Sequence, residues 1–282
     1  MTKILVPTDF SPNAFHAIEY ALRLCENATC EFYLLHVYSP PIYRIDYALG
    51  SPGQIGLPDE HKYIAESSLE KLLEQIKEKF ENHRHTFVLH ASLNTLVDEI
   101  KNIVQRENID FVVMGTQGAT GAKEILLGSN TVQAMENMEV PVLAIPSNFG
   151  FELPRHLLFP TDFEVDYGRA PLDFLFWIAK LWHSKIHILH VSSPGGLTLE
   201  QENNKAKLEG LMLEHNHDSH DLPDQELIQA INSFQERTPI DMLSMINNRH
   251  SFFERLFMEP VIKNIGLHSK VPFLVLPYGV EA

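Results

Sequence analysis

Short apolar runs alternate with amphipathic stretches along the chain. Residues 3–6 form a brief apolar run of strand length, and Ser11 followed by Pro12 reads as a helix start, an N-cap with proline in the first turn. Phe15, Ile18, Leu22 and Cys25 then recur at helical spacing, which predicts a helix to about Cys25. Residues 31–37 read as the next strand. A loop rich in Pro, Gly and Tyr (39–58) leads to a helix with Leu69, Leu72, Leu73, Ile76 and Phe80 on one face. A strand at 86–90, a helix at 93–105 and a strand at 111–114 follow. A glycine-rich loop and a further helix then precede a last strand at 140–145. Near-continuous apolar strands separated by helices predict a parallel sheet covered on both faces.

The pattern then repeats. ILVPTDF (4–10) returns as LLFPTDF (157–163), LLHVYSP (34–40) as ILHVSSP (188–194), and VPVLAIP (140–146) as VPFLVLP (271–277). The blocks keep their order at offsets of 153, 154 and 131 residues, so the second copy is shorter past its second strand. This predicts two tandem α/β domains, 1–148 and 153–282, joined by a short linker (146–154) that favours packing of one domain on the other. The weak point of the second copy is HNHDSHDLP (215–223), polar and a poor strand, whose loss is tolerable at a sheet edge.

Length and composition agree: 282 residues suit two domains, and 44% apolar residues supply two cores. The net charge of −15 divides as −8 (11 basic against 19 acidic residues in 1–150) and −7 in the remainder. Nonspecific binding to nucleic acid or to an anionic membrane is therefore disfavoured. No apolar run reaches the roughly 18–20 residues of a membrane span. The start, MTKILVPTDF, lacks a secretory pattern, and Cys25 and Cys30 do not form a CxxC pair, so a soluble cytoplasmic protein with buried thiols is expected.

MGTQGATGAKEILLGSN (114–130) follows a strand and leads into a helix, with glycines spaced G-x-x-G-x9-G-S at Gly115, Gly118 and Gly128–Ser129. Such glycines let backbone approach an anion, and the loop N–H groups with the next helix start make a phosphate cradle. The loop is neither a Gly-Lys-Ser/Thr phosphate loop nor a G-x-G-x-x-G dinucleotide fingerprint. The same glycines also suit a turn that only permits close packing.

Together the G-x-x-G-x9-G-S spacing, the early PTDFS and the LLHV strand resemble the universal stress protein family, over nearly the whole chain. The resemblance implies tandem Rossmann-like domains, each an open twisted five-stranded parallel sheet, paired through their last strands (140–145 against 271–276) as a pseudo-dimer, with further homodimerisation open. It implies ATP binding, with Mg²⁺ through the phosphates. Pro7, Thr8, Asp9 and Val37 would face adenine and ribose, Met114 and Gly115 the ribose, and Gln117, Gly118, Gly128, Ser129 and Asn130 the phosphates. Asp9 can equally be a carboxylate held by the following helix dipole.

The second copy departs from the motif. At the 131 offset Gly115 becomes Ile246, Gly118 becomes Arg249, Gly128 becomes Glu259 and Ser129 becomes Pro260, while Phe252 and Phe253 add bulk. A carboxylate repels phosphate and proline has no N–H to give. ATP is thus expected in the first domain only, in a stress-response binding module. A slow ATPase and a nucleotide-free scaffold are the alternatives. No catalytic nucleophile–base pair can be assigned from the residues. The run from His215 to Asp221 reads either as a metal site or as a solvated polar loop. FLFWIAKLW (174–182) reads as a buried helix face.

Overall fold

The computed structural model describes residues 1–38, 58–116, 128–167, 172–192, 194–223, 226–248 and 271–278. The described chain divides into two compact units, residues 1–114 and residues 115 onward. This division falls inside the first sequence copy, whose last helix and strand group with the second unit.

The first unit runs β1 (Thr2–Pro7), α1 (Pro12–Leu24), β2 (Cys30–Val37), α2 (Pro58–Lys79), β3 (His85–Ser92), α3 (Leu96–Glu107) and β4 (Phe111–Gly115). Its strand order is β3-β2-β1-β4, all parallel. Ile4, Leu5 and Val6 have no exposed surface, which is why their run is apolar without alternation. Ser11 caps α1 by accepting from the Ala14 N–H, with Pro12 in the first turn. α3 begins three residues later than the sequence suggested, because Thr95 takes the cap and accepts from the Asp98 N–H at 3.3 Å. It ends at Asn108, which is left-handed at φ 53°. Leu69, Leu72 and Ile76 bury the inner face of α2, while Leu73 and Phe80 are half-buried. Cys25 and Cys30 are buried free thiols.

The second unit contains α4 (Ser129–Asn137), β5 (Val142–Ile145), β6 (His156–Pro160), α5 (Asp173–Trp182), β7 (Lys185–Ser192), α6 (Leu199–Met212), β8 (His217–Pro223), α7 (Leu227–Arg237), β9 (Met242–Asn247) and β10 (Phe273–Pro277). Its strands lie in the order β5-β10-β9-β6-β7-β8. Every pair is parallel except β5 with β10, which run antiparallel with Phe273 opposite Ala144, Leu274 opposite Leu143 and Val275 opposite Val142. That pairing ties β5, a first-copy strand by sequence, to the second unit.

The polar segment doubted as a strand forms β8 in full, paired with β7 from Ile186↔His217 to Ser192↔Pro223. It sits at the sheet edge, where the ladder is backbone and only one neighbour has to be satisfied. His217, His220 and Leu222 are half-buried, whereas Asp218, Ser219 and Asp221 are exposed. α5 buries Leu175, Ile178, Ala179 and Trp182, and α6 carries a capping box between Thr198 and Gln201. No helix among the described residues is long and apolar enough to cross a membrane.

Candidate functional site

The turn after β1 is built by side chains holding their own backbone. Thr8, buried at the strand end, accepts from the Phe10 N–H through Oγ1 at 3.0 Å. Asp9 is exposed and its Oδ1 accepts from the Ser11 N–H at 3.0 Å. Between them Phe10 takes a left-handed conformation, φ 62°, uncommon for a bulky residue. The His36 ring packs against this turn. It lies 4.4 Å from the Phe10 ring, and its Nδ1 is 2.8 Å from the Thr8 carbonyl oxygen. Pro7 ends β1 opposite Leu35, and Val37 ends β2 opposite Ser92. Met114 is buried near the end of β4. These residues share the carboxyl ends of adjacent parallel strands, where open α/β sheets take ligands.

The second copy repeats the turn. Thr161 Oγ1 accepts from Phe163 N–H and Asp162 Oδ1 from Glu164 N–H, both at 3.0 Å, and Phe163 is left-handed at φ 60°. His190 lies 2.9 Å from the Thr161 carbonyl and 4.7 Å from the Phe163 ring. Survival of Asp162 therefore follows from the turn itself. Here α6 closes over the loop: Gln201 donates to the Asp162 carbonyl and Asn204 to the Phe163 carbonyl, both at 3.0 Å. Beside it lies a cleft of about 450 Å³ lined by Phe163, His190, Ser192, Lys205 and Glu209 among others.

Past β4, two threonines organise the glycine positions. The Thr116 carbonyl accepts from the Gly128 N–H at 2.7 Å, and Thr131 Oγ1 donates to the Gly115 carbonyl at 2.9 Å. A Cβ on Gly128 would sit 3.3 Å from the Thr116 oxygen, so any larger residue there needs the turn to give by a few tenths of an ångström. The Gly128 N–H is thus spent inside the turn, and the donors facing outward are those of the residues that follow. Ser129 and Asn130 are exposed, α4 begins with no side-chain cap, and its first turn carries no acidic residue. Gln117 and Gly118 lie outside the described residues, as do Arg249, Phe252, Phe253, Glu259 and Pro260. Ile246, the counterpart of Gly115, is an ordinary buried residue of β9.

The model of the universal stress protein family matches residues 1–146. The chain belongs to that family. Among curated universal stress proteins, MJ0577 of Methanocaldococcus jannaschii is 32% identical over 151 residues, covering 51% of this chain and 93% of that protein. MJ0531 of the same organism is 28% identical over 148 residues, covering 51% and 81%. A solved universal stress protein from Archaeoglobus fulgidus aligns over 98% of this chain and 96% of its own, with a TM-score of 0.66 at 23% identity, a likeness of fold.

In this universal stress protein Thr116 and Thr131 are not legible in the sequence, whereas His36 and His190 read as core or boundary histidines at equivalent strand positions, and the structure sets each against the turn after its first strand. The signal for His36 was its recurrence at the same position of the second strand in both copies, His36 in LLHV and His190 in ILHV, one residue further from PTDF in the second. Thr116 and Thr131 carried none, because their partners are backbone groups separated by the whole glycine loop. Two ionisable groups stand out elsewhere. Burial alone would raise the pKa of Glu99, but hydrogen bonds from Asn94, His90, Ser92 and Asn102 outweigh it and hold the carboxyl below its usual range. His187 is pushed down to about 4 by burial and by its His156, His220 and Lys185 neighbours.

Proposed function

We propose that the first sequence copy binds ATP, with Mg²⁺ carried on the phosphates, and that the protein works as a nucleotide-responsive binding module. The observation behind this reading is the glycine turn. It leaves a Cβ at Gly128 only a tight 3.3 Å from the Thr116 oxygen, and it opens a helix with neither a side-chain cap nor an acidic first turn. A helix start left in that state favours an anion through its free N–H groups and its dipole. Ser129 and Asn130 would take the phosphates together with Gln117 and Gly118. Asp9, Thr8, Pro7 and Val37, with Met114 and Gly115, would take the nucleoside. The single exposed carboxylate of Asp9, one oxygen of which already braces its own turn, suits hydroxyl or amino donors and not a phosphate. The second copy keeps the aspartate turn without the glycines, and α6 side chains occupy the carbonyls of that turn, so one nucleotide per chain is expected.

The test is calorimetry of MgATP with the intact protein and with Gly118→Glu, whose added carboxylate would repel phosphate. One site per chain, lost in the variant while its circular dichroism is unchanged, supports the reading. Absence of binding by the intact protein overturns it. Following ADP release in the same sample separates holding from hydrolysis.

A further inference from the structure

Three histidines on neighbouring strands of the second unit form a chain of ring nitrogens. His156 Nδ1 lies 3.0 Å from His187 Nε2, and His187 Nδ1 lies 3.2 Å from His220 Nε2. The register accounts for the grouping. His156 is opposite Lys185, His187 opposite Asp218 and Leu189 opposite His220, so alternate positions bring His156, Lys185, His187, Asp218 and His220 to one face. His156, Lys185, His187 and Asp218 occupy the amino-terminal halves of β6, β7 and β8, and His220 the middle of β8, where it also borders the cleft lined by Phe163 and His190.

From this geometry we propose that His187 Nδ1, His220 Nε2 and a carboxylate oxygen of Asp218 hold a Zn²⁺ ion, with water as fourth ligand. One ligand atom from each of the three residues lies within 4.8 Å of the other two. Two nitrogens each about 2.0–2.1 Å from a tetrahedral zinc stand about 3.3–3.4 Å apart. The 3.2 Å between His187 Nδ1 and His220 Nε2 is therefore close to a ready-made edge of that tetrahedron.

The surroundings complete the case. With Nδ1 on the metal, the proton of a neutral His187 sits on Nε2 and is donated to His156 Nδ1. This is the outer partner that a metal-bound histidine usually has. Phe234 of α7 packs 4.7 Å from the His220 ring and 5.6 Å from the His187 ring, restricting both. His187 is buried, His220 half-buried and Asp218 exposed on the edge strand, so an ion reaches the donors from solvent. Lys185 pairs with Asp218 Oδ2, which leaves Oδ1 for the metal and fixes the carboxylate, and its ammonium is the like charge the ion must tolerate. Two imidazoles and one carboxylate suit zinc better than the oxygen-seeking Mg²⁺ or Ca²⁺.

The experiment uses the full, tag-free chain, stripped with chelator and titrated with ZnCl₂ by calorimetry, with CoCl₂ absorption as the readout of tetrahedral geometry. One ion per chain is expected. His220→Gln and Asp218→Asn should each weaken it about a hundredfold, and His156→Gln about 10–100-fold through loss of the outer hydrogen bond. Circular dichroism should be unchanged in the two edge-strand variants. A double variant, His215→Gln with His217→Gln, should bind as the parent does, since the His217 ring turns back to the His215 carbonyl. No saturable site, parent-like binding by His220→Gln and Asp218→Asn, or an equal loss in the double variant each overturns the proposal.

Discussion

Asp241 and Asp110 perform the same task in the two copies under different burial, which makes them a matched pair for measurement. Asp241 Oδ2 accepts from the Arg155 and His156 N–H groups, both at 2.8 Å, and its own N–H donates to the His156 carbonyl. Asp110 Oδ2 accepts from the Lys3 N–H at 2.7 Å, and the Asp110 N–H donates to the Lys3 carbonyl in return. Asp241 is only 9% exposed, whereas Asp110 is at the surface. Asp241→Ala strips a charged acceptor from two backbone donors where water has little access. At about 1.5–3 kcal/mol per charge-assisted bond, offset where water reaches Arg155, the loss should be about 3 kcal/mol. Asp110→Ala leaves one donor that water can satisfy, and should cost about 1 kcal/mol. Both tryptophans, Trp177 and Trp182, lie in α5 of the second unit, so tryptophan fluorescence in urea follows the affected half directly. With a slope of about 1–3 kcal/mol per molar urea, Asp241→Ala should lower the midpoint by about 1–3 M. Asp241→Asn should recover part of this, because an amide oxygen still accepts. A midpoint shift in Asp241→Ala no larger than that of Asp110→Ala, with unchanged slopes, would falsify the claim that burial sets the strength of this bond.

Two further outcomes are expected. Because the folded pKa of Glu99 lies below its unfolded value, its contribution to stability is complete above about pH 4.3 and is lost as pH falls through the folded pKa. Glu99→Gln should therefore flatten the acid limb of a stability–pH curve, and an acid midpoint identical to the parent would count against the network of Asn94, His90 and Asn102. Gly128→Ala should cost about 1–2 kcal/mol, as its Cβ meets the Thr116 carbonyl at 3.3 Å. A thermal midpoint equal to the parent would mean that the turn relaxes freely.

Most of the architecture was legible because burial on both faces leaves a simple mark. Ile4–Leu5–Val6 and Leu157–Leu158–Phe159 are apolar runs without alternation, and α5 and the inner face of α2 kept helical spacing. The repeat carried further information, since Asp110 and Asp241 stand at the same 131 offset as the last strands. β8 was misjudged for a physical reason. An edge ladder is made by backbone, and His220 of β8 pairs with His187 of β7, which in turn pairs with His156 of β6, a long-range arrangement that composition does not encode. The candidate nucleotide site was legible in its glycines and its aspartate turn. It was illegible in Thr116 and Thr131, whose importance exists only once β4 and α4 are brought together. The left-handed Phe10 and Phe163 were hidden for a similar reason: nothing in a phenylalanine announces positive φ until the histidine beneath it is seen.

The antiparallel seam between β5 and β10 has a consequence in time. Strand β5 is translated early, yet its partner Phe273–Pro277 emerges roughly 130 residues later, an interval on the order of ten seconds at about 5–20 residues per second. During synthesis that flank of β5 is a bare row of amide and carbonyl groups with no chain of its own to meet. On a crowded polysome the nearest complementary strand belongs to a neighbouring nascent copy, so the same seam that closes the finished molecule is where two molecules can exchange strands before either is complete.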